Sequence, residues 1–179
     1  MSDRTHLIRT AIATATGLDA EDCARTAGRD DMATYLPWMP FSWPDFIALV
    51  AEALPDTPGD RFLEVGAGVG AKMVLAETVF GLDVEGVERV PEYVKTARER
   101  GLTMYEADAL GWEGYGDYDL VYFNRTFANQ DLERELEAYV YDRIKPGAVL
   151  IAVNVIAPPA GWFLILDDGE VRRWIMQKP

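Results

Sequence analysis

The sequence predicts an α/β fold: a mostly parallel sheet with helices on both faces, preceded by a helical N-terminal extension. Three observations predict it. From Arg61 onward, strand-length apolar runs alternate with helix-length amphipathic runs, the pattern of crossover units in a parallel sheet. The run Tyr118 to Phe123 is nearly all apolar, as expected of a strand covered on both sides. Near the C-terminus, Asp167-Asp168-Gly169-Glu170 separates two apolar runs, a hairpin signal that adds an antiparallel element.

The elements follow in order. Leu7, Ile8, Ala11, Ile12 and Ala15 share one helical stripe, stopped at Gly17, and Asp19 to Ala27 suits a second short helix. Pro37, Pro40 and Pro44 then interrupt a segment holding Tyr35, Trp38, Met39, Phe41 and Trp43. A helix from Trp43 to Leu54 starts at Ser42, with Asp45 three residues on as in a capping box and Pro44 in the first turn. Its expected buried stripe is Phe46, Ile47, Val50 and Leu54. Strands are expected at Arg61–Val65, Asp83–Val87, Thr103–Glu106, Tyr118–Phe123 and Ala148–Val155, with a hairpin of Trp162–Leu166 and Val171–Met176. Helices are expected at Val69–Phe80, Pro91–Arg100 and Gln130–Ile144, the last burying Leu132, Leu136, Tyr139 or Val140, and Ile144. The texture changes near Asp60, which divides a helical segment, 1–60, from a core, 61–179.

Composition narrows the function classes. The 179 residues suffice for one domain with a core of its own. Thirty acidic against 17 basic residues give a net charge of −13, which weighs against broad binding to nucleic-acid backbones. A single cysteine, Cys23, excludes an internal disulfide and a multi-cysteine metal cluster. The single histidine, His6, argues against a histidine-rich metal site or a Ser-His-Asp triad, so no metal is expected. There is no membrane-length apolar run and no signal-peptide pattern. The expectation is a soluble protein of a reducing, cytoplasmic compartment.

The stretch that carries chemistry is Phe62-Leu63-Glu64-Val65-Gly66-Ala67-Gly68-Val69-Gly70. An apolar strand runs into a glycine-rich turn and then a helix. Glycines serve where backbone bends sharply and a ligand comes close, and the amides at a helix start face that ligand. The dinucleotide fingerprint is G-x-G-x-x-G; here the spacing is G-x-G-x-G, and Glu64 precedes it. A carboxylate there repels a pyrophosphate and suits an ammonium group. Glu88, 22 residues after Gly66, ends the second strand, where a carboxylate can accept from ribose hydroxyls. Asp108 follows the third strand, where it can accept from an exocyclic adenine amine.

On these residues the chain resembles the class I, Rossmann-like S-adenosylmethionine-dependent methyltransferases from about Arg61 to the C-terminus. The resemblance implies a doubly wound seven-stranded sheet of order 3-2-1-4-5-7-6, its last strand antiparallel. It implies S-adenosyl-L-methionine as cofactor. Glu64, Gly66, Ala67, Gly68 and Gly70 would line its amino-acid end. Glu88 would bind the ribose, Arg89 would lie along the adenine, and Asp108 with the backbone of Ala109 would read the adenine edge. Asn124 would face the methyl-transfer centre, its carbonyl oxygen toward a nucleophile, and Phe127 would supply a wall.

Asn124-Arg125-Thr126-Phe127 keeps the outer residues of the [Asp/Asn/Ser]-Pro-Pro-[aromatic] sequence of base-amine methyltransferases and lacks both prolines. It is more similar to the Asn-Asn-Phe type of the non-SET protein lysine methyltransferases. The implied acceptor is a small molecule or a protein side chain rather than nucleic acid. Several residues keep two readings. His6, Tyr35 and Tyr122 are candidate bases or ordinary surface and core residues. Arg125 can hold an acidic substrate or pair with Asp131 or Glu133. Trp38, Phe41 and Trp43 can form a lid or pack the N-terminal segment on the core. The run Asp131, Glu133, Glu135, Glu137 is expected on the solvated side of its helix. A catalytically silent protein that keeps the cofactor pocket is the alternative to an enzyme. A nucleotide-binding oxidoreductase is disfavoured by the glycine spacing and Glu64.

Overall fold

A computed structural model describes residues 42–156, 159–168 and 173–179. The two helices expected before Ala27, the aromatic residues Tyr35 to Phe41, His6 and Cys23 lie outside the described residues. Seven strands form one sheet: β1 (Arg61–Val65), β2 (Asp83–Glu88), β3 (Thr103–Glu106), β4 (Leu120–Asn124), β5 (Val149–Val153), β6 (Phe163–Asp168) and β7 (Arg173–Gln177). Among the described residues four α-helices pack on it: α1 (Trp43–Ala53), α2 (Ala71–Phe80), α3 (Pro91–Glu99) and α4 (Gln130–Arg143). The strand order is β3-β2-β1-β4-β5-β7-β6. β1 to β5 pair in parallel, and β7 runs antiparallel to both β5 and β6. This is the doubly wound order expected.

Alternate residues of each strand feed two cores, as the pleat requires. On one face Phe62, Tyr122, Ile151 and Ile175 meet α1, α2 and α3. On the other Leu63, Val65, Val121, Phe123, Leu150 and Ala152 meet Leu136 and Val140 of α4 and Ile144 just after it. Phe46 of α1 sets its ring edge-on to Tyr122, at 5.1 Å between centroids, and to Phe62, at 6.3 Å. At full burial each such side chain contributes about 2–3 kcal/mol.

Most boundaries fall within two residues of expectation, and the departures have local causes. α1 begins where expected, but the Ser42 side chain makes no capping bond. Asp45 instead reaches Arg173 on β7 at 3.3 Å, so the acid of the expected capping box ties the helix to the sheet. The buried face of α1 is Trp43, Phe46, Leu49, Val50 and Ala53, with Ile47 and Leu54 only half-buried. α2 starts at Ala71, because Gly70 takes a left-handed φ of 78° and donates its amide to Ala67 O inside the turn. β4 starts at Leu120, after a short 3-10 turn at Gly114–Asp117. Tyr118 stacks its ring under Arg61, 4.8 Å away, and donates its hydroxyl to Glu85. Lys178 closes the C-terminal end of α4, donating to Tyr141 O, Asp142 O and Ile144 O. A cation there also suits the helix dipole. No helix among the described residues is long and apolar enough to cross a membrane.

Gly86 on β2 lies opposite Glu64 of β1 and lets α2 come close to the sheet. A Cβ there would sit 2.7 Å from Met73 Sδ, 2.8 Å from Ala67 Cβ and 2.9 Å from Met104 Sδ. Gly86→Ala is therefore expected to cost about 1–3 kcal/mol by overpacking, read from the urea midpoint. A stability change below about 0.5 kcal/mol would show that this packing yields freely.

Candidate functional site

The C-terminal ends of β1, β2 and β4 converge on the glycine turn. Gly66, Gly68 and Gly70 have φ values of 68°, 56° and 78°, a region that side chains other than glycine rarely adopt. The amides of Gly66 and Ala67 both donate to Val87 O, at 3.0 and 3.1 Å. Glu88 completes this tie. Its Oε2 accepts from Gly68 N at 2.8 Å, and its Oε1 from Arg89 N and Val90 N at 2.8 and 2.9 Å. A carboxylate offers about four acceptor sites, and these three amides fill three of them. Arg89 is exposed just before α3.

Glu64 is only 1% exposed. Lys72, in the first turn of α2, donates to its Oε1 at 3.0 Å. Its Oε2 is buried with no hydrogen-bond partner. Burial raises the Glu64 pKa and the charge of Glu88 adds to the rise, while Lys72 and a weaker contact with the Met73 amide work against it. Lys72 Nζ also lies 5.3 Å from the ring centroid of Tyr122, the residue paired with Glu64 across β1 and β4. The residue-level reading named Glu64 and not Lys72. One signal was present: a lysine in the first turn of a helix opposes the dipole and so calls for a nearby anion.

The β4 end is held from α4. Glu133 Oε2 accepts from Thr126 N at 3.1 Å and from Phe127 N at 2.7 Å. One turn on, Glu137 Oε1 accepts from Ile156 N, after β5, at 2.6 Å. Both glutamates are buried, which corrects the expectation of a solvated run. Glu133, Glu137, Val140 and Ile144 form one stripe at helical spacing, and the inward face of α4 continues through the two acids. Arg125 forms no salt bridge with Asp131 or Glu133 among the described residues, although its charge works against the rise in the Glu133 pKa. Its guanidinium donates to Phe127 O and Ala128 O, both at 3.0 Å, and so braces its own turn.

Asn124 Oδ1 accepts from Asn154 Nδ2 at 3.0 Å. The Phe127 ring is buried against the α4 core. Thr126 lies directly over Gly66: a Cβ on Gly66 would be 2.5 Å from Thr126 Cγ2. Asp108 is exposed and its Oδ1 accepts from Leu110 N at 3.0 Å, while Ala109 O accepts from the Tyr115 hydroxyl at 2.8 Å. Three buried oxygens around this turn have no hydrogen-bond partner: Glu64 Oε2, Thr126 Oγ1 and Glu133 Oε1. Such orphaned groups carry a desolvation cost.

No family model matches the chain. It is 25% identical over 143 residues to protein-L-isoaspartate O-methyltransferase 1 of Archaeoglobus fulgidus, covering 74% of this chain and 63% of that protein. It is 35% identical over 132 residues to the protein-L-isoaspartate O-methyltransferase of Methylorubrum extorquens, covering 69% of this chain and 54% of that one. The chain thus spans less than two thirds of the length of these relatives. Phosphoethanolamine N-methyltransferase 2 of Haemonchus contortus, solved with S-adenosyl-L-methionine, superposes with a TM-score of 0.52 at 26% identity, over 64% of this chain and 28% of that one. An RNA methyltransferase of Salinibacter ruber, solved with S-adenosyl-L-homocysteine, shares the fold with a TM-score of 0.58 at 18% identity, over 78% and 92%.

Burial pushes the Glu133 carboxyl up to about 7, against the two amide bonds that favour its charged form. Between pH 4.5 and 7 the folded chain keeps a proton that the unfolded chain has released. The stability tied to that proton is complete below about 4.5 and is lost as pH rises through 7, a change of up to about 3 kcal/mol. Glu133→Gln keeps an acceptor for the two amides and does not titrate. Its stability relative to wild type should therefore rise by up to that amount between pH 5 and pH 8, followed by urea unfolding. A difference independent of pH would mean that Glu133 does not titrate in this range.

Proposed function

Because the chain belongs to the class I, Rossmann-like S-adenosylmethionine-dependent methyltransferase family, we propose that it transfers a methyl group from S-adenosyl-L-methionine to a protein side chain or a small molecule. The observation that carries this reading is the buried, half-partnered Glu64 carboxylate beside the glycine turn. Its open oxygen suits a cationic ligand, and the glycines remove side chains that would block close approach. The relatives named above carry methyltransferase names, which lends the catalytically silent alternative no support.

When bound, the cofactor supplies an electrophilic methyl group on a sulfonium. The chain's part is binding and alignment, which account for much of the acceleration of such a displacement. Glu64 and the turn Gly66, Ala67, Gly68 and Gly70 receive the amino-acid end. Glu88 offers its remaining acceptor site to the ribose, with Arg89, Asp108 and Ala109 along the adenine. Asn124 faces the acceptor through a side chain whose orientation Asn154 fixes, and Phe127, its ring in the α4 core, backs the same loop. The first acceptor to test is an isoaspartyl peptide, after the names of the relatives. A carboxylate is ionised at neutral pH and needs no general base, whereas an ammonium acceptor must first lose a proton.

Calorimetry with S-adenosyl-L-homocysteine tests the reading, and no heat at millimolar ligand would sink it. Glu88→Ala should lower that affinity tenfold or more, since it removes a ligand acceptor and releases Gly68 N, Arg89 N and Val90 N. Unchanged affinity would remove Glu88 from the site. With an acceptor in hand, Asn124→Ala should reduce kcat by more than it reduces cofactor affinity; equal turnover would exclude it from the mechanism.

A further inference from the structure

Lys72 is a cation of the site that the proposed reaction leaves unused. It stands in the first turn of α2, where the helix dipole disfavours positive charge and where α2 has no acidic residue of its own. Glu64 is the anion that offsets this, yet Glu64 occupies only one of its own oxygens in doing so. An ammonium carries three donors, and the structure gives one of them to Glu64 Oε1. The two side chains also differ in access. Glu64 is 1% exposed and Lys72 13%, so of the pair Lys72 has the greater contact with solvent. A ligand group bonded to Glu64 Oε2 would share that carboxylate with Lys72 Nζ, which donates to Oε1 at 3.0 Å.

Resting on the S-adenosylmethionine reading, we propose that Lys72 is a specificity-determining residue that recognises the carboxylate of the cofactor's amino-acid end, while Glu64 Oε2 accepts from the ammonium of the same zwitterion. Charges then alternate around a ring of four groups: the Glu64 carboxylate, the Lys72 ammonium, the ligand carboxylate and the ligand ammonium. Each is a donor or acceptor for both neighbours. The arrangement satisfies the orphaned oxygen, and it adds a second anion to a lysine that the helix dipole opposes. It also makes the built-in ion pair a template: a ligand with only one of the two charges leaves one member half-partnered, which costs binding. If Lys72 served only to neutralise Glu64, the two ligand charges would be read independently of it.

The experiment is calorimetry with three ligands that share the thioadenosine group. S-adenosyl-L-homocysteine has both charges, S-adenosyl-3-thiopropylamine has the ammonium alone, and 5′-methylthioadenosine has neither. Wild type should favour the first over the second by about tenfold or more. Lys72→Met should weaken S-adenosyl-L-homocysteine by about 10- to 100-fold and shift the other two by less than about threefold. Should that variant fold poorly around an unpaired Glu64, the double variant Lys72→Met with Glu64→Gln leaves no uncompensated charge. In it S-adenosyl-L-homocysteine should lose its advantage over S-adenosyl-3-thiopropylamine. Equal losses for all three ligands, or none, in the single variant would overturn the role of Lys72 and leave the methyltransferase reading standing. So would a retained preference for the carboxylate in the double variant. No binding of any ligand by wild type would overturn that reading and this role together.

Discussion

The Glu88 carboxylate is the interaction on which the site's shape depends. Three backbone amides from two separate elements converge on it: Gly68 from the turn after β1, and Arg89 and Val90 from the start of α3. Charged acceptors make stronger bonds than neutral ones, and a single carboxylate here does the work of several loop contacts. The turn it holds has three left-handed glycines, each with many other conformations open to it. Two further bonds to Val87 O fix the same turn to β2. The parallel register of β1 and β2, Val65 beside Val87, brings Glu88 level with the turn, so sheet topology and site geometry are one constraint.

Two more carboxylates are spent on the same end of the sheet, at a cost in desolvation. Glu64 lies under α1 and α2, Glu133 under α4, on opposite faces. Burial raises the pKa of each. An apolar side chain at either position would pack more cheaply. What the acids provide is direction: Glu133 aims two amides of the Asn124–Phe127 segment, Glu137 aims the chain after β5, and Glu64 keeps one oxygen open. Buried polar groups retained for such geometry exchange stability for one defined arrangement.

The sheet was legible because its signals are periodic. Strand-length apolar runs such as Leu120 to Phe123, and glycines such as Gly81 and Gly101, mark elements by local rules. Glu64 and Glu88 were legible because they sit at fixed distances from the glycines. The partners of these residues were not. Lys72 pairs with Glu64 only because α2 folds back over β1, and the sequence carries only the indirect hint of a lysine against a dipole. Glu133 and Glu137 were misread because acidic residues in a helix are almost always solvated; their stripe with Val140 and Ile144 was outweighed by composition. The Ser42 capping box failed for a tertiary reason, since Asp45 has Arg173 on β7 within reach.

The two sides of the site are joined at one point, where Thr126 rests on Gly66. Gly66 belongs to the β1 turn, which Glu88 holds from β2. Thr126 belongs to the β4 loop, which Glu133 holds from α4. The left-handed φ at Gly66 already disfavours a side chain there, and the Thr126 methyl would exclude one even if the backbone relaxed. The turn and the loop are therefore packed as one unit, each anchored by its own carboxylate on a different element. A shift of the β4 loop, which carries Asn124 and Phe127, must either compress Gly66 or move with it. Because protein interiors yield little to such compression, the β4 loop and the glycine turn keep a fixed separation. In the proposed reaction, that fixed separation would supply the alignment an in-line transfer depends on.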